Sequence, residues 1–357
     1  MPLIPEIVDA HFHFFDPTKN SFNEFLGSLG APAYLPEHYH AHAGGLPIKK
    51  TVHIEAMPDD AVGEAKWIES LADSGSCKVA ALVAGVDLSS PTAVAQLDEL
   101  KACCPRLRGI RYILDFDGPF DGTNATHVNM KRHKDDACCF MSHPKKSKAF
   151  EHGFAQLASR GLSFDLQCAP AQLPHAVALC TRHPNVPVVI DHLGKPRHLK
   201  ADGGAADMAE LECWRAGMKQ MAALPQVYVK LSMLGMRCLA MLPLPRVLCQ
   251  TLIVADHSAI SALLRPGYAV PGWCESTEKE AFIKSLVLEV IELFGAERCM
   301  FASNFHISPA GSDSDGASDH ALEMPDLYAR YHSWVAHLPE GDKARLFSGT
   351  ACEFYKI

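Results

Sequence analysis

Short β-branched runs alternate with longer amphipathic stretches along almost the whole chain, and this alternation restricts the fold more than any other feature. Runs near 6–14 ("EIVDAHFHF"), 50–56, 79–87 and 107–114 read as strands, followed by runs near 163–169, 187–193 ("PVVIDHL"), 227–234 ("VYVKLSML") and 298–305. Between them lie "DDAVGEAKWIESLADSG", "SPTAVAQLDELKACC", "KAFEHGFAQLASRG", "QLPHAVALCTRH", "MAELECWRAGMKQMAAL" and "KEAFIKSLVLEVIELFGAE", each with apolar residues at helical spacing. Eight such repeats predict a parallel sheet closed into a (β/α)8 TIM barrel. An open doubly wound sheet is the alternative, and no glycine-rich phosphate loop follows an early strand to support it. At 357 residues the chain is long enough for one such barrel domain spanning 1–357.

Two stretches break the rhythm. Residues 115–148 are polar and glycine-bearing, and they read as an excursion on the barrel rim. Residues 235–277 mix proline, aromatics and helical spacing, and extra helices over or beside the barrel are expected there. His127, His133, Cys138 and His143 in the first insertion have no ordered ligand spacing, so a solvated loop is expected in preference to a metal site.

The charge balance excludes some partners. A formal net charge of -8, with its basic residues scattered, gives no footprint for nucleic acid. No window approaches the ~18 uninterrupted apolar residues that a membrane helix needs. The N-terminus has no basic start followed by an apolar stretch, so no signal peptide is expected. The 13 cysteines include no C-x-x-C, which fits reduced thiols and a cytoplasmic location.

In a barrel of this type the chemistry sits at the C-terminal ends of the strands. In "DAHFHFFD" a period of two sends Asp9, His11 and His13 one way and Ala10, Phe12 and Phe14 the other. The same reading sends His53 and Glu55 inward and leaves Val52 and Ile54 to the helices. Later strand ends contribute Arg111, then Asp165 and Gln167, then His192 and Lys195. Lys230 and Ser232 follow, and Asn304 and His306 close the series. Polar groups on the inward face of every strand but the third describe one pocket.

The segments "DAHFHFFDP", "VHIEA", "GIRY", "FDLQ", "VIDHLGKP", "VYVKLSMLG" and "RCMFASNF", with the closing "LFSGTACEFY", resemble the amidohydrolase-related family of TIM-barrel hydrolases. Within it they are similar to the sugar-lactone hydrolases and 2-pyrone-4,6-dicarboxylate lactonase. The resemblance implies that His11, His13 and His192 line the catalytic centre. It also puts Asn304 where the family often has an aspartate, and His306 at the proline position that follows. Gln167 stands where metal-dependent relatives commonly have a histidine.

These readings make His11, His13, His192, Asn304 and Glu55 the catalytic candidates. His53, Arg111, Gln167, Lys195, Lys230 and His306 are the substrate-binding ones. His11, His13 and His192 could hold one divalent metal, zinc first, and catalysis without a metal is the other possibility. The expected reaction is hydrolysis of a small carbohydrate-derived or carboxylated lactone, with a small-molecule lactone or organic acid as the partner and neither nucleic acid nor membrane. The alternatives are a metal-dependent decarboxylase on the same fold and a binding protein that has lost its chemistry.

Overall fold

A computed structural model describes residues 4–28, 30–116, 139–196, 199, 203–235, 238–239, 264–265, 269–270, 272–305 and 322–357. All eight expected strands are present, seven of them shorter than the runs that announced them and the second shifted two residues toward the N-terminus. They are β1 (Ile7–Phe12), β2 (Ile48–Ile54), β3 (Val79–Gly85) and β4 (Leu107–Arg111). Then come β5 (Ser163–Leu166), β6 (Val188–Ile190), β7 (Val227–Leu231) and β8 (Cys299–Phe301). Each pairs in parallel with the next in sequence order.

β8 returns to β1 just beyond the strand ends. Asn304 N donates to His11 O, and His13 N to Phe305 O, both at 2.7 Å. The sheet is thus a TIM-type barrel joined at that seam.

Parallel neighbours need crossovers, and helices supply them. α1 (Pro36–Ala43), α2 (Ala61–Asp73), α3 (Ala93–Cys103) and α4 (Ser147–Arg160) surround the first half of the barrel. α5 (Leu173–Arg182), α6 (Ala205–Ala222), α7 (Thr277–Phe294) and α8 (Met324–Trp334) surround the second. Side-chain caps define two starts: Asp60 accepts from Val62 N at α2, and Ser276 from Lys279 N at α7.

The apolar residues form two layers. One lies between strands and helices and includes Phe12, Ile110, Phe164, Ile190 and Val229. The other fills the barrel: Val8, Ala10, Val52, Ile54, Ala81, Val83, Val189, Met300 and Ala302. Phe354 and Tyr355 of the last helix, α9 (Thr350–Tyr355), pack into that inner layer. Tyr228, near the start of β7, lies with its ring 4.8 Å from that of Phe354, so α9 closes the N-terminal end of the barrel.

The inner layer corrects the facing of β2. Val52 and Ile54 point into the barrel, and His53 points out, its ring 5.7 Å from Phe12 and 6.3 Å from Phe14. β1 departs from simple alternation as well. Asp9 pairs with Thr51 and Phe12 with His53, so three steps on β1 match two on β2. That extra residue is a β-bulge. It leaves Ala10 in the inner layer beside the inward-facing His11, and sends Asp9 outward to Tyr39 of α1.

Most of the first insertion, 117–138, lies outside the described residues, and with it His127, His133 and Cys138. The extra helices expected over 235–277 fall largely outside them too. What is described there is a two-residue antiparallel ribbon, Cys238–Leu239 with Leu264–Arg265, and a single 3-10 turn, Trp273–Glu275. No disulfide joins the cysteines whose side chains are described, and no described helix is long and apolar enough to cross a membrane.

Candidate active site

Backbone strain marks one end of the barrel. Met57, His192, Leu193, Lys195, Met233 and Asn304 have positive φ, and all follow the C-terminal ends of β2, β6, β7 or β8. Non-glycine residues pay roughly 1–2 kcal/mol for that conformation, and it persists where the surroundings impose it. After β6 the run His192–Lys195 is left-handed throughout. Trp214 of α6 holds it, donating from Nε1 to Leu193 O at 2.7 Å, and packs so close to Gly194 that a Cβ there would crowd its ring.

Below this rim lies a buried charge network. Arg111, at the end of β4, donates Nε to Glu55 Oε1 at 2.8 Å and Nη2 to the Glu55 carbonyl at 2.5 Å. Its Nη1 reaches Gln167 Oε1 at 3.2 Å and His11 Nε2 at 3.3 Å. Lys230 of β7 lies 2.5 Å from Asp165 Oδ2, 3.1 Å from Asp191 Oδ1 and 3.3 Å from His11 Nδ1. Tyr355 donates to Asp165 Oδ2 at 2.8 Å, so the helix that plugs the barrel also forms the floor of the network. Lys195 pairs with Asp115 nearer the rim.

Burial sets the protonation states. It pushes His11 and His192 well below the usual imidazole range, helped for His11 by Lys230 and for His192 by His11. His13 is lowered in the same way, by burial and Arg111. These imidazoles are neutral at neutral pH. Burial would raise Asp191, but Lys230 and Arg111 outweigh it and hold the carboxyl below its ordinary value. For Asp165 burial prevails over Lys230, and the carboxyl rises to about 6.

Ligand atoms of His11, Asp191 and His192 lie within 4.8 Å of one another, the one such trio among the described residues. Both Asp191 oxygens are buried and lack a well-directed donor. Two imidazoles and a carboxylate are a donor set for one divalent cation of the zinc kind, although Lys230 and Arg111 already face Asp191 and His11. His13, expected as the third ligand, is replaced in the trio by Asp191. Its Nδ1 is engaged with Ile54 O at 2.8 Å.

The other expected site residues divide by position. Glu55, Arg111, Gln167, His192, Lys195, Lys230 and Asn304 are all buried at this end of the barrel. His53 is not among them, since it sits in the outer layer with Nε2 3.4 Å from Phe14 O. His306 lies outside the described residues. Sequence reasoning missed Asp191 as a site residue, although period-two spacing from the inward Val189 points to it. It also missed Asp115 and Tyr355, for which no local pattern exists.

Two hollows, of about 300 and 280 Å³, lie elsewhere: one beside Asp16 and Trp67, the other beneath Tyr39 and Thr51. Neither is lined by the charge network, so the chemistry rather than the hollows locates the site.

Known proteins share this architecture. Protein y4mH of Sinorhizobium fredii is 26% identical over 365 residues, covering 98% of each chain. An L-fucono-1,5-lactonase of Burkholderia ambifaria is 26% identical over 360 residues, covering 98% of this chain and 95% of that one. The crystal structure of a Burkholderia multivorans amidohydrolase with bound zinc superposes with a TM-score of 0.66 at 21% identity, over 99% of both chains. Residues 8–357 match the model of the amidohydrolase family. By that match, over a barrel whose buried histidines and carboxylates meet at one end, the chain belongs to the amidohydrolase family.

Proposed function

We propose that the chain is a hydrolase that opens a small carbohydrate-derived or carboxylated lactone. The observation that carries this reading is the meeting of neutral His11 and His192 with ionised Asp191 at the C-terminal end of the barrel. The likeness to an L-fucono-1,5-lactonase over nearly the full length supports a cyclic ester as the substrate class.

Opening a lactone needs a base for water, a donor for the carbonyl oxygen as it becomes negative, and a proton for the ring oxygen that leaves. Ser232 Oγ holds His192 Nδ1 at 3.0 Å, which leaves Nε2 to take the proton of the attacking water. Water oxygen bonds to the carbonyl carbon, the ring C–O bond breaks, and the ring oxygen receives the proton from His192. The product carboxylic acid then ionises, releasing one proton to solvent. Asn304, the most exposed member of the site at 7%, would donate its amide to the carbonyl oxygen. A divalent cation held by His11, Asp191 and His192 would instead engage His192 Nε2, and would itself polarise that carbonyl and lower the pKa of its water in place of the histidine base.

Arg111 and Lys230 act as positioning groups in this scheme. Their charges are committed to Glu55, Asp165 and Asp191, and both are at most 1% exposed. Lys195 is likewise committed to Asp115.

The test is proton release from a panel of five- and six-membered sugar lactones and pyrone dicarboxylates, with and without chelator, beside His192→Ala. Turnover that disappears in the variant supports the proposal. Folded protein that opens no lactone in any arm overturns it, and carbon dioxide release from aromatic acids would then be measured.

A further inference from the structure

The centre already contains a side-chain cation at the place where a metal would sit. Lys230 Nζ is fully buried and lies 3.3 Å from His11 Nδ1 and 3.1 Å from Asp191 Oδ1, so it touches two of the three residues that fit a divalent ion. Arg111 approaches the same two residues from the other side, with Nη1 3.3 Å from His11 Nε2 and 3.6 Å from Asp191 Oδ2. Both ring nitrogens of His11 and both oxygens of Asp191 therefore face a fixed positive charge. Beneath Lys230 the Tyr355 ring lies with its centroid 5.5 Å away, a favourable face for an ammonium.

We propose that the Lys230 ammonium is the resident cation of this centre, and that it and a divalent ion exclude one another. Distance supports this. Lys230 Nζ already lies against His11 Nδ1 and Asp191 Oδ1, so a divalent ion added to the trio would meet the ammonium at contact distance. In a site that water does not screen, such repulsion is worth decades in an equilibrium constant. Metal therefore binds tightly only when Lys230 is removed or moved away.

The inference rests on the reading of His11, Asp191 and His192 as the centre of the site, but not on what that site hydrolyses. Its test reads zinc affinity in the full chain, by competition with a chromophoric chelator after stripping with EDTA. Three proteins are compared: the wild type, Lys230→Leu, and Lys230→Leu/Asp165→Asn. The single variant leaves two carboxylates without their cation and can fail to fold. The double variant removes a charge of each sign, a replacement that buried pairs tolerate.

The double variant is expected to bind one zinc at least 100-fold more tightly than the wild type, and to lose that gain when Asp191→Asn is added. Equal affinities in the wild type and the double variant would overturn the proposal. So would a wild type that retains one zinc per chain through dialysis against the chelator, a result that no folding defect can imitate. Because lactone turnover enters neither reading, failure here and failure of the proposed reaction are separate results.

Discussion

Asp9 of the first strand accepts two hydrogen bonds from Ser303, just past the last: from the backbone N at 2.8 Å and from Oγ at 2.6 Å. A third comes from Tyr39 at 2.7 Å. The β8–β1 seam has little ladder of its own, so this carboxylate does part of the work of strand pairing. It fixes the two backbones that carry His11 and Asn304. Asp9→Asn keeps the shape but turns one acceptor into a donor that faces donors. It should cost about 1–3 kcal/mol of stability and lower turnover with it. A urea midpoint unchanged from the wild type would show that the seam does not depend on the charge.

The buried histidines predict acid lability. His11, His13, His53 and His192 are all held below the ordinary imidazole range by burial, His53 down to about 3. A group whose folded pKa is depressed binds its proton first in the unfolded chain. Stability is therefore full above about pH 6.5 and falls as the pH drops below it. Each such histidine should cost about 1 kcal/mol between pH 6.5 and 5.5. Asp165 works the other way, because its pKa is raised to about 6 and protonation favours the folded chain. The net loss over that unit should be about 3 kcal/mol, seen as a falling urea midpoint. His53→Phe should remove about one histidine's share of the slope, since its neighbours Phe12 and Phe14 already make an aromatic bed.

How far the chain could be read from its residues depends on which face is being asked about. The strands were legible because β-branched runs bounded by turns have few other uses. Facing was legible only where a strand meets the mouth. A filled barrel buries both faces, so Val52 and Ile54 can be inside while polar His53 is outside, and polarity stops reporting direction. At Arg111, Asp165 and Lys230, one residue from the rim, polar does mean inward. The bulge in β1 could not be seen in advance, because nothing in "VDAHF" distinguishes five alternating residues from a strand with one to spare. Period-two spacing from Val189 turns Asp191 inward, beside a histidine whose chemistry is the more conspicuous signal. Tyr355 reaches Asp165 across 190 residues, and only the folded barrel brings them together.

Arg111 should not tolerate a lysine. Its guanidinium serves Glu55 through two separate nitrogens while a third meets Gln167 and His11. An ammonium on a shorter reach cannot occupy those directions at once. Leaving Glu55 buried without its fork should cost about 3–5 kcal/mol. Thermal unfolding of Arg111→Lys reads this directly. A melting temperature within a degree of the wild type would mean that the charge alone suffices.

Ser232 separates positioning from chemistry. Its hydroxyl meets His192 Nδ1 at 3.0 Å and is itself fully buried. In the proposed reaction it fixes which nitrogen of His192 faces the water, without touching substrate. Ser232→Ala removes one hydrogen bond, so the fold should lose only about 1 kcal/mol. With the tautomer no longer held, kcat should fall by about 10–100-fold while KM changes little. Ser232→Thr keeps the hydroxyl and should restore most of the rate, provided its methyl group fits. If Ser232→Ala raises KM and leaves kcat alone, His192 belongs to substrate binding, and the base must be sought at His11.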